Sequence, residues 1–314
     1  MNALSTRSLS RPPCSAAAWV AALLLLAAAA STGAQVPASS SSACPVAPPA
    51  GTSAQAPQQV SAFVHDITQS TRFDRQSVAR WHVPLCFDVQ GLPENETGFV
   101  AARLSQVARC AGAQVRSAGC SEDRANFRVV FSLNADQAAK DEYARHRRMF
   151  DRGASRAQIE RFLDPPSPAA VRVWHDAMPI GKDGFPLIPI DPTSPVEPMA
   201  YQNFQYDGGS RLTAEAIPGL SFTLIIIDGT RAGGASLGQL ADYAAMVGLA
   251  DLGFGANVGE VPTILRLFSA SGPAQPAGLT PWDQAFLGAL YHADQSASNL
   301  RTQIAGAMVR NLTP

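Results

Sequence analysis

Ser236, Asp242 and Tyr243 are the residues of this chain whose types and spacing come nearest to a reactive constellation. Ser236 lies in Gly234-Ala-Ser236-Leu-Gly238, which has the G-x-S-x-G form of a hydrolase nucleophile elbow. An elbow works because a tight strand-to-helix turn projects the serine oxygen beside oxyanion donors. Here the apolar run Phe222–Asp228 ends about seven residues before Ser236, a gap that removes that geometry. Histidine bases are scarce on this side of the chain, His292 being the one that follows Ser236. The serine is better suited to begin a helix, its hydroxyl accepting N–H groups of the first turn. Asp242 and Tyr243 would stand on that helix as the carboxylate and phenol of a hydrolase with an unfamiliar site.

The same helix has the spacing of a zinc site without its ligands. In H-E-x-x-H-x-x-G-x-x-H, two histidines one turn apart and a third bind zinc, and the glutamate is the base. With Gly248 at the glycine, Ala241, Ala245 and Asp251 take the histidine positions and Asp242 the base position. Alanine has no side-chain ligand atom, so this chemistry excludes that zinc site. Asp242 and Asp251 are too few oxygen ligands for calcium. Downstream, Leu279-Thr280-Pro281-Trp282-Asp283, continuing to Leu290-Tyr291, resembles the L-S-x-x-D-x6-L-Y segment of matrixin-type metzincin metallopeptidases. The resemblance covers about a fifth of the chain and departs from the family at all three ligands. Residues 252–278 also contain no methionine for a Met-turn. What the resemblance implies is a zincin-like fold without catalytic zinc. Helix physics alone explains much of the segment: Thr280 with Asp283 suits a cap, and Trp282, Phe286, Ala289 and Leu290 share a face.

Two further strings carry a broader resemblance. Arg80-Trp81-His82-Val83-Pro84-Leu85-Cys86 and Gly238-Gln239-Leu240-Ala241-Asp242-Tyr243 are similar to segments of uncharacterised exported proteobacterial proteins. That resemblance implies export and a shared fold, not a mechanism.

The elements that must position these residues follow from periodicity. Val83–Val89 suits a strand broken by Gly91-Leu92-Pro93, and Val100, Leu104, Val107, Ala108 and Ala111 mark an amphipathic helix ended by Gly112. Phe127–Leu133 reads as a second strand, with Asn134 capping a helix that runs to about Phe150. Ser155 and Gln158 form a capping-box pair for a short helix. The proline-rich stretch 164–200 reads as a long ordered loop or a set of edge segments. Phe222–Asp228 suits a buried strand, and helices are expected over 237–248, 281–292 and 299–310. The fold class is α/β, or α+β, with a mixed sheet, flanking helices and a helical C-terminal part.

Compartment is legible as well. Arg7 and Arg11 precede the apolar stretch Ala16–Ala30 and the small residues Ser31–Ala34, so residues 1–34 read as a signal peptide. Its apolar core of about 15 residues is shorter than a spanning helix needs, so no stable membrane anchor is expected after cleavage. Residues 35–59 are Ala, Pro and Ser rich and read as a disordered linker, leaving 60–314 as one globular domain. Four cysteines follow the signal. Cys86 sits in the first strand-like stretch and Cys120 just before the second, so a Cys86–Cys120 bridge is natural if those strands pair; Cys110 is then either buried and free or tied to Cys44. With 24 basic and 25 acidic residues, general nucleic-acid binding is disfavoured. The cluster Lys140, Arg145, Arg147, Arg148, Arg152, Arg156 and Arg161 is interleaved with acids, as on a solvated helix face. His65, His82, His146, His175 and His292 lack metal-ligand spacing, and no phosphate or dinucleotide loop is present, so neither metal nor cofactor is expected. The expectation is a periplasmic or secreted accessory or binding protein for an envelope protein or peptide; the alternative is a hydrolase near 236–251.

Overall fold

The apolar run that ends at Asp228 organises the molecule. The computed structural model describes residues 44, 57–68, 78–117, 120–150, 154–165, 169–181, 217–253, 258–269 and 275–313. Among these, five strands form one sheet: β1 (Arg80–Trp81), β2 (Phe87–Gln90), β3 (Phe127–Ser132), β4 (Val171–Ile180) and β5 (Ile217–Asp228). The helices are α1 (Pro57–Ile67), α2 (Glu94–Ala111), α3 (Ala135–Arg145), α4 (Arg147–Phe150), α5 (Arg156–Leu163), α6 (Leu237–Leu249), α7 (Pro281–His292) and α8 (Leu300–Leu312). All described residues belong to one compact unit, Ser42–Pro314.

β5 is the centre of the sheet. One of its edges pairs in parallel with β3, from Phe127 opposite Thr223 to Ser132 opposite Asp228, and with β1 at Gly219 and Leu220. Its other edge pairs antiparallel with β4 from Ile217 to Ile227, with a register irregularity between Asp176 and Ala177. β2 runs parallel to β3 beyond it. This is a mixed α/β sheet. Alternation along β5 sends Ile225 and Ile227 to one face and Leu224 and Ile226 to the other, and all four are fully buried. Each contributes about 1.5–3 kcal/mol of burial. On the first face lie α1, α2, α6, α7 and α8; on the second, Phe150, Phe162 and Trp174 pack with α3, α4 and α5.

Local chemistry sets most boundaries. Gly112 ends α2 at φ 102°, a left-handed conformation that a side chain disfavours, and its N–H closes the last turn. Asn134 caps α3 by accepting the Gln137 N–H. Capping boxes start α5 at Ser155–Gln158, α6 at Ser236–Gln239 and α7 at Thr280–Asp283. The helix read as running to Phe150 is broken at His146, which separates α3 from α4. β4 lies within the stretch read as loop or edge segments; its Pro179 sits opposite Pro218 near the strand end, where a missing donor costs little. α1 starts at Pro57, inside the stretch read as linker, and buries Val60, Phe63, Val64 and Ile67. The signal reading for 1–34, most of the linker and the aromatic residues 201–206 lie outside the described residues.

Two disulfides tie the first part of the domain together. Cys86 is bonded to Cys120, and Cys44 to Cys110 on α2. They suit an oxidising, non-cytoplasmic environment. Among the described residues, no helix is long and apolar enough to cross a membrane.

Candidate functional site

Helix α6 carries the three residues singled out by sequence, and it gives each a different place. Ser236 caps the helix: its hydroxyl accepts the Gln239 N–H at 3.2 Å, while the Gln239 side-chain oxygen accepts the Ser236 N–H at 2.8 Å. Gln239 also donates to the Pro276 carbonyl at 2.6 Å, joining the helix start to the segment before α7.

Asp242 is 3% exposed and forms a two-pronged ion pair with Arg103 of α2, at 2.6 Å from Nε and 3.0 Å from Nη2. Its Oδ2 also accepts the Leu279 N–H at 2.9 Å. The carboxylate therefore joins α2, α6 and the approach to α7, and its oxygens face those partners. Tyr243, one position on, points the other way, into a cleft. Its ring meets Phe268 edge-on at 5.0 Å. Burial pushes the phenol up to about 12. Among the described residues, no hydrogen bond to the Tyr243 hydroxyl is found.

The cleft has a volume of about 770 Å³, within the range of ligand sites. Val171, Val173 and His175 of β4 form one wall, at the period of two that puts them on one face. Tyr243 and Val247 of α6 form the second, and Leu252, Leu265 and Phe268 the third. Arg231 and Ala232 after β5 stand at one end, Ser269 and Gln275 at another. Two polar groups here are already engaged. The His175 Nδ1 is 2.9 Å from the Thr223 hydroxyl, and Arg231 donates to Asp228 at 2.6 Å. Burial pushes the Asp228 carboxyl up, but hydrogen bonds from Thr230 and the Arg231 cation outweigh it and leave its pKa below the ordinary value.

A buried carboxyl holds the third wall in place. Asp283 accepts the Thr263 hydroxyl at 2.5 Å, the Ile264 N–H at 2.8 Å and the Thr280 N–H at 2.9 Å. Burial pushes it up to about 6 against the pull of these donors. Thus the residue that begins α7 also fixes the short 3₁₀ turn Ile264–Arg266, beside Leu265 and Phe268 of the cleft.

The far end of α6 is held by side chains from the Arg80–Cys86 string and from α7. Trp81 donates its indole N–H to the Gly248 carbonyl at 2.9 Å, and the Tyr291 hydroxyl donates to the Leu249 carbonyl at 2.8 Å. These side chains satisfy carbonyls that a helix C-terminus leaves without partners. Arg80 performs the same task for α7, donating to the Leu290 and Ala293 carbonyls. His82 lies 2.5 Å from the Gln295 side-chain oxygen, and burial lowers its pKa.

The positions of the zinc motif do not meet at the cleft. Ala241 and Ala245 are 0% and 1% exposed, and Gly248, on the same side of α6, lies against Phe127 and Ile225 of the sheet. Asp251 is buried and donates its N–H to the Ala79 carbonyl at 3.1 Å. The cleft is lined instead from the opposite side of the helix. Sequence reasoning missed His175, Val247, Arg231 and Phe268 as cleft residues. The alternation Val171, Val173, His175 was the available signal, hidden among prolines.

Comparisons with protein-family models, curated proteins and solved structures give no match.

Proposed function

We propose that the chain is an exported accessory or binding protein of the bacterial cell envelope, periplasmic or secreted, and that its ligand enters the cleft between β4 and α6. The ligand is an uncharged, largely apolar group of an envelope protein or peptide that offers one hydrogen-bond acceptor. A single observation carries the reading: Ala, Val and Leu side chains line much of the cleft, and Tyr243, which lines it beside them, has a hydroxyl without a partner among the described residues. The other polar candidates are occupied in structural roles, Asp242 by Arg103, Ser236 by the capping box and Arg231 by Asp228. A zinc-less, metzincin-like origin is supported by the chain order of β5, α6 and α7. With alanine at two ligand positions, that origin supplies no zinc chemistry.

The alternative, a hydrolase, draws on Tyr243 and His175 lining the same cleft. Titrating the oxidised mature protein with the uncharged apolar fluorophore N-phenyl-1-naphthylamine tests the binding reading. One saturable site per chain is expected. Turnover of p-nitrophenyl butyrate that disappears in Tyr243→Phe would overturn it in favour of the hydrolase.

A further inference from the structure

We propose that His146 is a pH-operated latch on the corner between α3 and α4: neutral, it holds the corner closed by accepting an N–H from Arg128, and protonation releases it. The direction of one hydrogen bond carries this. Arg128 Nη1 lies 2.9 Å from His146 Nε2. A guanidinium can only donate, so Nε2 must present its lone pair and the ring must be neutral, with its proton on Nδ1. Protonation turns that acceptor into a second donor facing a cation, and the contact becomes repulsive.

The surroundings keep Arg128 from moving aside. It is 2% exposed, lies 2.9 Å from Asp88 of β2, and donates to Glu142 of α3 at 3.2 Å. Its Nη2 donates to the Glu122 carbonyl at 3.2 Å, and the Glu122 carboxylate stands 3.8 Å away. His146 itself faces Arg128 from β3, Glu142 and Arg145 from α3 and Glu122 from the turn Glu122–Arg124; Arg147 of α4 follows it in the chain. Glu142, 3.7 Å from the ring, favours the charged form, but it already accepts from both Arg128 and Arg145. Burial first, then Arg128, lowers the His146 pKa below its ordinary value.

The corner matters because of what it covers. The His146 carbonyl accepts the Met149 and Phe150 N–H groups that make α4. Phe150 is fully buried, with its ring 4.5 Å from Trp174 and 5.4 Å from Phe162. Opening the corner in acid uncovers this aromatic cluster on the face of the sheet away from the cleft.

Amide hydrogen exchange on the oxidised protein between pH 7.5 and 5.0, corrected for intrinsic rates, tests the latch alongside an NMR titration of the His146 ring. In the wild type, protection of Met149 and Phe150 is expected to fall about tenfold per unit of pKa difference between closed and open corner. The β5 amides should keep theirs. His146→Gln keeps an acceptor at every pH, so its protection should stay flat. Three results each overturn the proposal: a His146 midpoint at or above 6.5, unchanged wild-type protection, or the same fall in His146→Gln. Should that variant not fold, the wild-type midpoint and protection decide the matter alone.

Discussion

Asp242→Ala removes both acceptors of the Arg103 fork and the partner of the Leu279 N–H. Breaking a buried pair costs about 3–5 kcal/mol, but 24% of the Arg103 side chain remains in water, so about 2–3 kcal/mol is expected here. Urea unfolding should show that loss, and probe binding should persist in the folded fraction. Gly248→Ala acts through volume: the added methyl would overlap the Phe127 ring and lie 3.0 Å from Ile225. About 1–3 kcal/mol of destabilisation is expected in thermal unfolding. His82 supplies a pH dependence. Its folded pKa is depressed, so its contribution is present above the ordinary value of 6.5 and is lost as pH falls below it. The urea midpoint of the wild type should drop from pH 7.5 to 5.5 more than that of His82→Gln; equal drops would refute the assignment. At this scale the caps were legible: Ser236, Thr280 and Asn134 carry their meaning in local spacing. Arg103 was not, because its partner lies 139 positions away and only the fold brings them together.

α6 was readable as an element from Leu240, Ala241, Ala244 and Val247, but its orientation was not. Nine of its residues, Leu240–Asp242 and Ala244–Leu249, are buried, so hydrophobic periodicity could not say which side meets the sheet and which the cleft. Gly248 decides it, since only a residue without a side chain lets the helix approach Phe127 this closely. β4 was obscured for the opposite reason. Its pattern of two is clear at Val171–His175, yet prolines on both sides resemble loop, and its role as β5's antiparallel partner depends on tertiary pairing. α1 was overlooked although Val60, Phe63, Val64 and Ile67 have helical spacing. The disulfides act on the elements they join. Loops spanning 34 and 66 positions imply about 4 kcal/mol each by loop entropy. Reduction should lower the unfolding temperature by well over 5 °C, with Cys44→Ser alone giving part of the loss. An unchanged unfolding temperature after complete reduction, checked by mass, would contradict this.

At the scale of the whole molecule, a sheet covered on both faces leaves a concavity of ligand size where β4, α6 and the turn fixed by Asp283 meet. Fold class was legible because strands and helices alternate in the sequence. The cleft was not, because its walls come from segments far apart in the chain and each looks like ordinary core. On the proposed reading, a disulfide-braced domain holds an apolar group in an oxidising compartment. The most direct measurement is N-phenyl-1-naphthylamine affinity in Val247→Phe, which fills the cleft from α6, beside Phe99→Ala, which trims an exposed ring outside it. Binding at least about tenfold weaker in Val247→Phe, a difference of about 1.4 kcal/mol, is expected, with Phe99→Ala unchanged. Wild-type affinity in a folded Val247→Phe would contradict the assignment of this cleft as the binding site.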